Sequence, residues 1–273
     1  MSIPKLGHLL LLWFALLTAA LMLGACSSAT PAASSGARAA LAPSGTLRAA
    51  INLGNPILAT RDAATAEPRG VSVDLARELA SRLGVPVELV VYPAAGKVVE
   101  GIRAGAWDIG FFAIDPVRAA DIDFTSAYVV IEGAYLVSQN SAITRNEEVD
   151  RDGVRVVVGL GSAYDLYLTR ELKHAKIVRA ATSPAVTDMM VANTIEVAAG
   201  VKQQLEADAK RLPGLRLLDG RFMVINQAMA VPKGRDPAAV AYLRQFVQEM
   251  KASGFVAQAL ARHGIDGAAV APP

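Results

Sequence analysis

FFAIDPVRAADIDF, residues 111–124, carries the decisive pattern: an apolar run stops at Asp115-Pro116, and an arginine, Arg118, follows in the next turn. Aspartate is a good N-cap, and proline suits a first helical position because it lacks the N–H that would go unpaired there. The spacing therefore predicts a strand that ends in a helical turn carrying Arg118. Free backbone N–H groups and a guanidinium would then converge on one spot, where an anion is stabilised. The alternative for Arg118 is a surface helix residue paired with Asp121 or Asp123, since exposed pairs are common and weak.

Outward from this stretch, strand-like and helix-like segments alternate. TLRAAINL (46–53) reads as a strand. VSVDLARELASRLG (71–84) sets Val71, Leu75, Leu79 and Leu83 at four-residue spacing and stops at Gly84, an amphipathic helix with a glycine end signal. VELVVY (87–92) is a strand, KVVEGIRAG (97–105) a helix and WDIGFFAI (107–114) a buried strand. A second run of similar rhythm follows: VRVVVGL (154–160), SAYDLYLTREL (162–172), AKIVRAA (175–181), SPAVTDMMVAN (183–193) and TIEVAAGV (194–201). FMVINQAMAV (222–231) is again strand-like. Asp236-Pro237 opens a helix with Leu243, Phe246, Val247 and Met250 on one face, and Ser253 is the expected cap of a last helix ending at His263-Gly264. The β-α-β-α-β order argues for mainly parallel sheets in two units, with a ligand at the carboxyl ends of the strands.

At the N-terminus, LLLLWFALLTAALML (9–23) lies behind Lys5 and His8, the layout of a secretory signal peptide over residues 1–25. The single cysteine follows at once, and Leu23-Gly24-Ala25-Cys26 resembles the lipobox of bacterial lipoproteins, in which the thiol is acylated. One cysteine in an exported chain makes no internal disulfide, and acyl chains hold a protein on a membrane without spanning it. Residues 26–45, rich in Ala, Ser, Pro and Gly, read as a flexible tether.

GVSVDLARELASRLG, GIRAGAWDIGFFAID, DPVRAADIDFTSAYV and VGLGSAYDLYL, in this order and spacing, resemble extracellular solute-binding proteins of family 3, which deliver polar amino acids to bacterial ABC importers. The resemblance spans about residues 45–266. It implies an α/β, two-lobed periplasmic-binding-protein-like fold (type II), with mixed, mainly parallel sheets joined by a two-strand hinge. Lobe 1 would comprise residues 46–130 plus 226–268 and lobe 2 residues 131–225, with crossings near Val129–Gly133 and Phe222–Gln227. By the same resemblance, Arg118 pairs with a ligand carboxylate and Gly161-Ser162 supplies a hydroxyl and an N–H from the opposite side. Ser162 also reads simply as a helix N-cap.

Two features depart from the amino-acid pattern. The stretch from Asp108 to Arg118 is about two residues shorter than in the amino-acid binders; Phe112 and Ala113 stand where small polar groups are expected, giving a more apolar wall. No acid occupies the position that pairs an ammonium, where Gly200, Val201 and Lys202 stand. Glu196 lies at the wrong end of its strand, and Asp165 or Glu132 would serve only with suitable geometry. Lys202, facing the cleft, would favour a carboxylic acid over a basic amino acid; solvated, it says nothing. The aromatic after the first strand is replaced by Asn52-Leu53-Gly54-Asn55-Pro56, with Tyr92, Phe111, Phe112 and Tyr164 as substitutes or as core. The expected ligand set is Arg118, Ser162, Ala113, Asp115, Phe112, Gly161, Lys202 and Asn55, with Cys26 as the lipidation site.

The expected function is a substrate-binding lipoprotein of an ABC importer, extracytoplasmic and monomeric, with a small carboxylate ligand, an inner-membrane ABC permease as partner and no cofactor. The alternatives are an exported cyclohexadienyl-dehydratase-like enzyme, which needs a buried acid such as Glu132, Glu196 or Asp165 beside the arginine, and a ligand sensor. The formal charge is +2, or +1 without the leader (26 basic against 25 acidic residues), which does not suggest a nucleic-acid partner. His8, His174 and His263 are scattered, and no P-loop is present, which excludes the common metal and nucleotide motifs.

Overall fold

The computed structural model describes residues 35–273. The leader and Cys26 lie outside the described residues. The first element is a helix, α1 (Ser35–Leu41), where the sequence reading places the end of a tether. Its Ala37 and Leu41 are buried, and Arg235 Nη1 donates to Ala40 O at 3.1 Å, so packing holds a segment whose composition carries no helical period.

The first half is built from β1 (Leu47–Asn52), a small hairpin of β2 (Thr60–Arg61) and β3 (Pro68–Arg69), α2 (Val71–Leu83), β4 (Val87–Tyr92), α3 (Ala95–Arg103) and β5 (Ile109–Ala113). On α2 the four residues at four-residue spacing are all buried, and Gly84 ends the helix in the left-handed conformation, φ 63°. β4, β1 and β5 are parallel neighbours. Trp107, fully buried, donates Nε1–H to Val98 O at 2.9 Å and packs on Phe112.

The second half holds β7 (Arg155–Gly159), α4 (Ala163–Glu171), β8 (Lys176–Ala180), α5 (Val186–Ala192), β9 (Val197–Val201), α6 (Lys202–Arg211) and β10 (Leu215–Leu217). β8, β7 and β9 are again parallel. Each half clamps the start of its sheet in the same way: Arg48 N and Nε donate to Asp108 Oδ2, and Arg155 N and Nε donate to Glu196 Oε2.

Two long strands join the halves. β6 (Ile122–Ser138) and β11 (Met223–Pro232) run antiparallel, with Gly133 opposite Met223 and Val129 opposite Gln227, the two segments expected to cross between lobes. The order β4-β1-β5-β11-β6-β9-β7-β8 makes one continuous mixed sheet of a two-lobed type II fold. The ladder between β6 and β11 slips between Gln227 and Ala228 and again before Ala230, where Thr125 Oγ1 accepts Met229 N–H at 3.2 Å. Such bulges bend a strand and raise its twist.

The chain closes with α7 (Pro237–Ala252), α8 (Phe255–Arg262) and β12 (Ala269–Val270), which pairs with β6. Asp236 Oδ1 caps α7 by accepting Ala238 N–H at 2.8 Å. Ser253 does not cap α8 as the sequence suggests: its hydroxyl points back to Met250 O, and Gly254, at φ 77°, opens that helix.

Candidate functional site

A cavity of about 40 Å³ lies at the carboxyl ends of both half-sheets, the place where open α/β sheets bind ligands. Asn52, Gly54 and Asn55 follow β1; Phe111, Phe112 and Ala113 end β5; Arg118 follows in the next turn. From the other side come Ser162, Ala163 and Tyr164 at the start of α4, Ser183 after β8, and Val201 at the end of β9. Ile225 and Gln227 of β11 close the floor, and Ala95 opens α3.

Arg118 is placed by the turn that the sequence singles out, although the turn is tighter than expected. Asp115 Oδ1 accepts Val117 N–H at 2.8 Å, and residues 118–120 form one 3₁₀ turn. No α-helix begins there, so the positive potential at this spot comes from the guanidinium and hardly from a helix end. Arg118 is 4% exposed. Its Nη1 donates to Ala113 O at 3.0 Å and its Nη2 to Gly161 O at 2.9 Å, across from the second half; Nε has no hydrogen-bond partner in the protein. The Phe112 ring lies 5.9 Å from the guanidinium carbon. Desolvation lowers the Arg118 pKa to about 10, against the opposing charge of Asp115. It stays cationic at neutral pH.

Asp115 does not reach the cavity wall. Its Oδ2 accepts from Arg170 Nη2 at 2.9 Å. Ser162 is the N-cap of α4: its Oγ accepts Asp165 N–H at 3.0 Å, and its own N–H donates to Gly159 O. The backbone N–H that the resemblance assigns to a ligand is thus engaged in the protein, while the hydroxyl proton can still be donated. Gly161, at φ 70°, gives its N–H to Asp165 Oδ2. Burial pushes the Tyr164 hydroxyl up to about 12, so it is a neutral polar group.

Lys202 is placed away from the cavity. The register that sets Gly133 opposite Val201 puts Lys202 beside Glu132, and Nζ reaches Oε2 at 3.3 Å. Arg221 binds the other carboxylate oxygen, and these two cations, Arg221 foremost, hold Glu132 below its ordinary value. Glu196 is held down to about 2, chiefly by its hydrogen bond with Arg155. Asp165 is engaged by Arg179 Nε at 3.0 Å. None of these acids lines the cavity, and no carboxylate among the described residues does. Nor do the described residues contain a cluster of three or more His, Cys, Asp or Glu fit to hold a metal.

Sequence reasoning brings Arg118, Ser162, Ala113, Phe112 and Asn55 to the wall, with Gly161 at its edge. It misses Ser183, in the turn after β8, and Ile225 and Gln227, both on β11, none of which stands in a local motif. Asn52, whose Oδ1 accepts Gly54 N–H at 2.9 Å, stands in the segment where an aromatic is expected.

The sequence model of bacterial extracellular solute-binding proteins, family 3, matches residues 47–265. The chain belongs to this family. Family members work outside the cytoplasm. Among the described residues no helix is long and apolar enough to cross a membrane. No curated protein matches the chain by sequence. Solved structures share the family fold. A solute receptor for L-cysteine of Neisseria gonorrhoeae superposes with a TM-score of 0.73 at 24% identity, covering 84% of this chain and 94% of that one. An ancestral amino acid-binding protein, a precursor of cyclohexadienyl dehydratase, gives 0.69 at 23% identity over 82% and 98%. The substrate binding protein of an amino acid ABC transporter gives 0.69 at 16% identity over 80% and 98%.

Proposed function

We propose that this family member is the lipid-anchored capture protein of an ABC importer, binding a small carboxylate-bearing solute between lobe 1 (46–130 plus 226–268) and lobe 2 (131–225). The observation that carries the reading is the state of Arg118: a cavity-lining guanidinium with 4% exposure, bound to two neutral carbonyls and with Nε unpaired. Burying a cation without a counter-ion is costly, and an anion brought by a ligand offsets that cost. The contact to Gly161 O ties the same side chain to the second half, so a ligand on Arg118 favours the closed arrangement by differential contact. Anchoring through Cys26 leaves the carrier next to an inner-membrane permease.

Binding is favoured over catalysis because Glu132, Glu196 and Asp165, the acids that a dehydratase-like reading needs, each serve a basic partner away from the cavity. The test is calorimetric titration of the purified protein with a panel of amino, keto, hydroxy and aromatic acids. At least one carboxylate binds the wild type, and Arg118→Ala weakens it at least about 30-fold, the scale expected for truncating one member of a buried charge pair. Equal affinity in a folded Arg118→Ala protein removes the proposal.

A further inference from the structure

The cavity wall says more about the ligand than its carboxylate. Around it, three guanidiniums (Arg118, Arg170, Arg179) face two carboxylates (Asp115, Asp165), and the two carboxylates are taken by Arg170 and Arg179. One positive charge, that of Arg118, is left over. A monoanion cancels it. A zwitterion leaves the site's charge unchanged and adds an ammonium that no described carboxylate at the wall can pair, a costly burial.

The remaining polar groups at the wall are neutral amides and hydroxyls: Asn52, Asn55, Ser162, Tyr164, Ser183 and Gln227. Among them Asn55 Oδ1 is buried with no hydrogen-bond partner, as Arg118 Nε is. Two lining residues therefore each keep one buried polar atom unpaired, a donor on Arg118 and an acceptor on Asn55. A buried polar group left unpaired is costly, which selects a ligand carrying both. A hydroxyl beside a carboxylate supplies the missing donor without charge. The cavity of about 40 Å³ has a few times the room that one water needs, and so suits a molecule of few heavy atoms.

Resting on the carboxylate reading above, we infer that the ligand is a short-chain hydroxy monocarboxylate, with its carboxylate on Arg118 and its hydroxyl on Asn55, and that amino acids are disfavoured at this site.

Three probes of equal length separate the parts of this inference: lactate, alanine and propionate, titrated into the purified wild-type protein and Asn55→Leu. Lactate is expected to bind at least about tenfold tighter than either of the others. Asn55→Leu should bring lactate down to propionate while leaving propionate within about threefold. Alanine equal to or tighter than lactate, with the binding lost in Arg118→Ala, overturns the hydroxy-acid assignment and leaves the carboxylate reading standing. Propionate equal to lactate in the wild type removes Asn55 from the recognition. Failure of all three probes overturns the hydroxy-acid assignment, and failure of the wider acid panel as well overturns the carboxylate reading. The wild-type comparison decides the ligand class even where Asn55→Leu does not fold.

Discussion

Arg170, on α4, donates through Nη2 to Asp115 Oδ2 at 2.9 Å, joining the second half of the sheet to the turn that carries Arg118 in the first. Asp115 is buried at this contact, whereas the Arg170 side chain is 36% exposed. A half-exposed pair of this kind contributes modestly, and its loss falls on the closed form. Arg170→Ala is expected to weaken binding of any ligand held by the wild type about threefold to tenfold, through faster release. Stopped-flow dissociation reads this directly, and an unchanged release rate would show that the pair does not hold the halves together.

Gly161 makes a second, steric demand on closure. It sits at φ 70°, and a Cβ added there would meet Gly96 Cα, at the start of α3, at 2.8 Å. Gly161→Ala therefore strains the backbone and separates the two halves. The expected outcome is an affinity loss of at least about tenfold with a larger radius of gyration in small-angle scattering under saturating ligand. Gly96→Ala is the control: its Cβ would meet Leu160 O and Gly161 Cα at 3.5 and 3.6 Å, ordinary contact, and should bind nearly as the wild type.

Leu41 tests whether residues 35–45 belong to the folded body. It is fully buried in α1. Leu41→Ala should cost about 2–5 kcal/mol in urea unfolding, the usual range for a core leucine. A loose tether would give less than about 0.5 kcal/mol.

Glu196 governs part of the acid limb of stability. Its folded pKa, about 2, lies below the ordinary 4.5 because Arg155 hydrogen-bonds its carboxylate. A depressed carboxylate contributes stability fully above the unfolded value and loses it as pH falls from about 4.5 toward 2. The pair is partly exposed, so the contribution is on the order of 1 kcal/mol after screening. Glu196→Gln should be less stable than wild type at pH 7, and the gap should narrow below pH 4. A gap constant from pH 7 to 2.5 would sink the linkage.

The fold was legible wherever a period was strong. The four-residue spacing on α2, the Val-rich runs of β4 and β7 and the Asp236-Pro237 start of α7 are local signals that packing reinforces. What was not legible depended on partners distant in sequence. α1 has the composition of a linker and becomes a helix only against α7. Lys202 turns from the cavity because the β6–β9 register offers it Glu132, and no reading of VKQQ alone contains that register. The site divides likewise: Arg118 announces itself by Asp-Pro in front of it, whereas Gln227 reaches the wall from a strand that reads as plain core.

Gln227 lies at the first slip in the ladder between β6 and β11, and it lines the cavity. A molecule resting on this glutamine touches one of the two long strands that join the half-sheets. If the protein captures its solute as proposed, filling the cavity would load this ribbon directly, and its curvature would report occupancy.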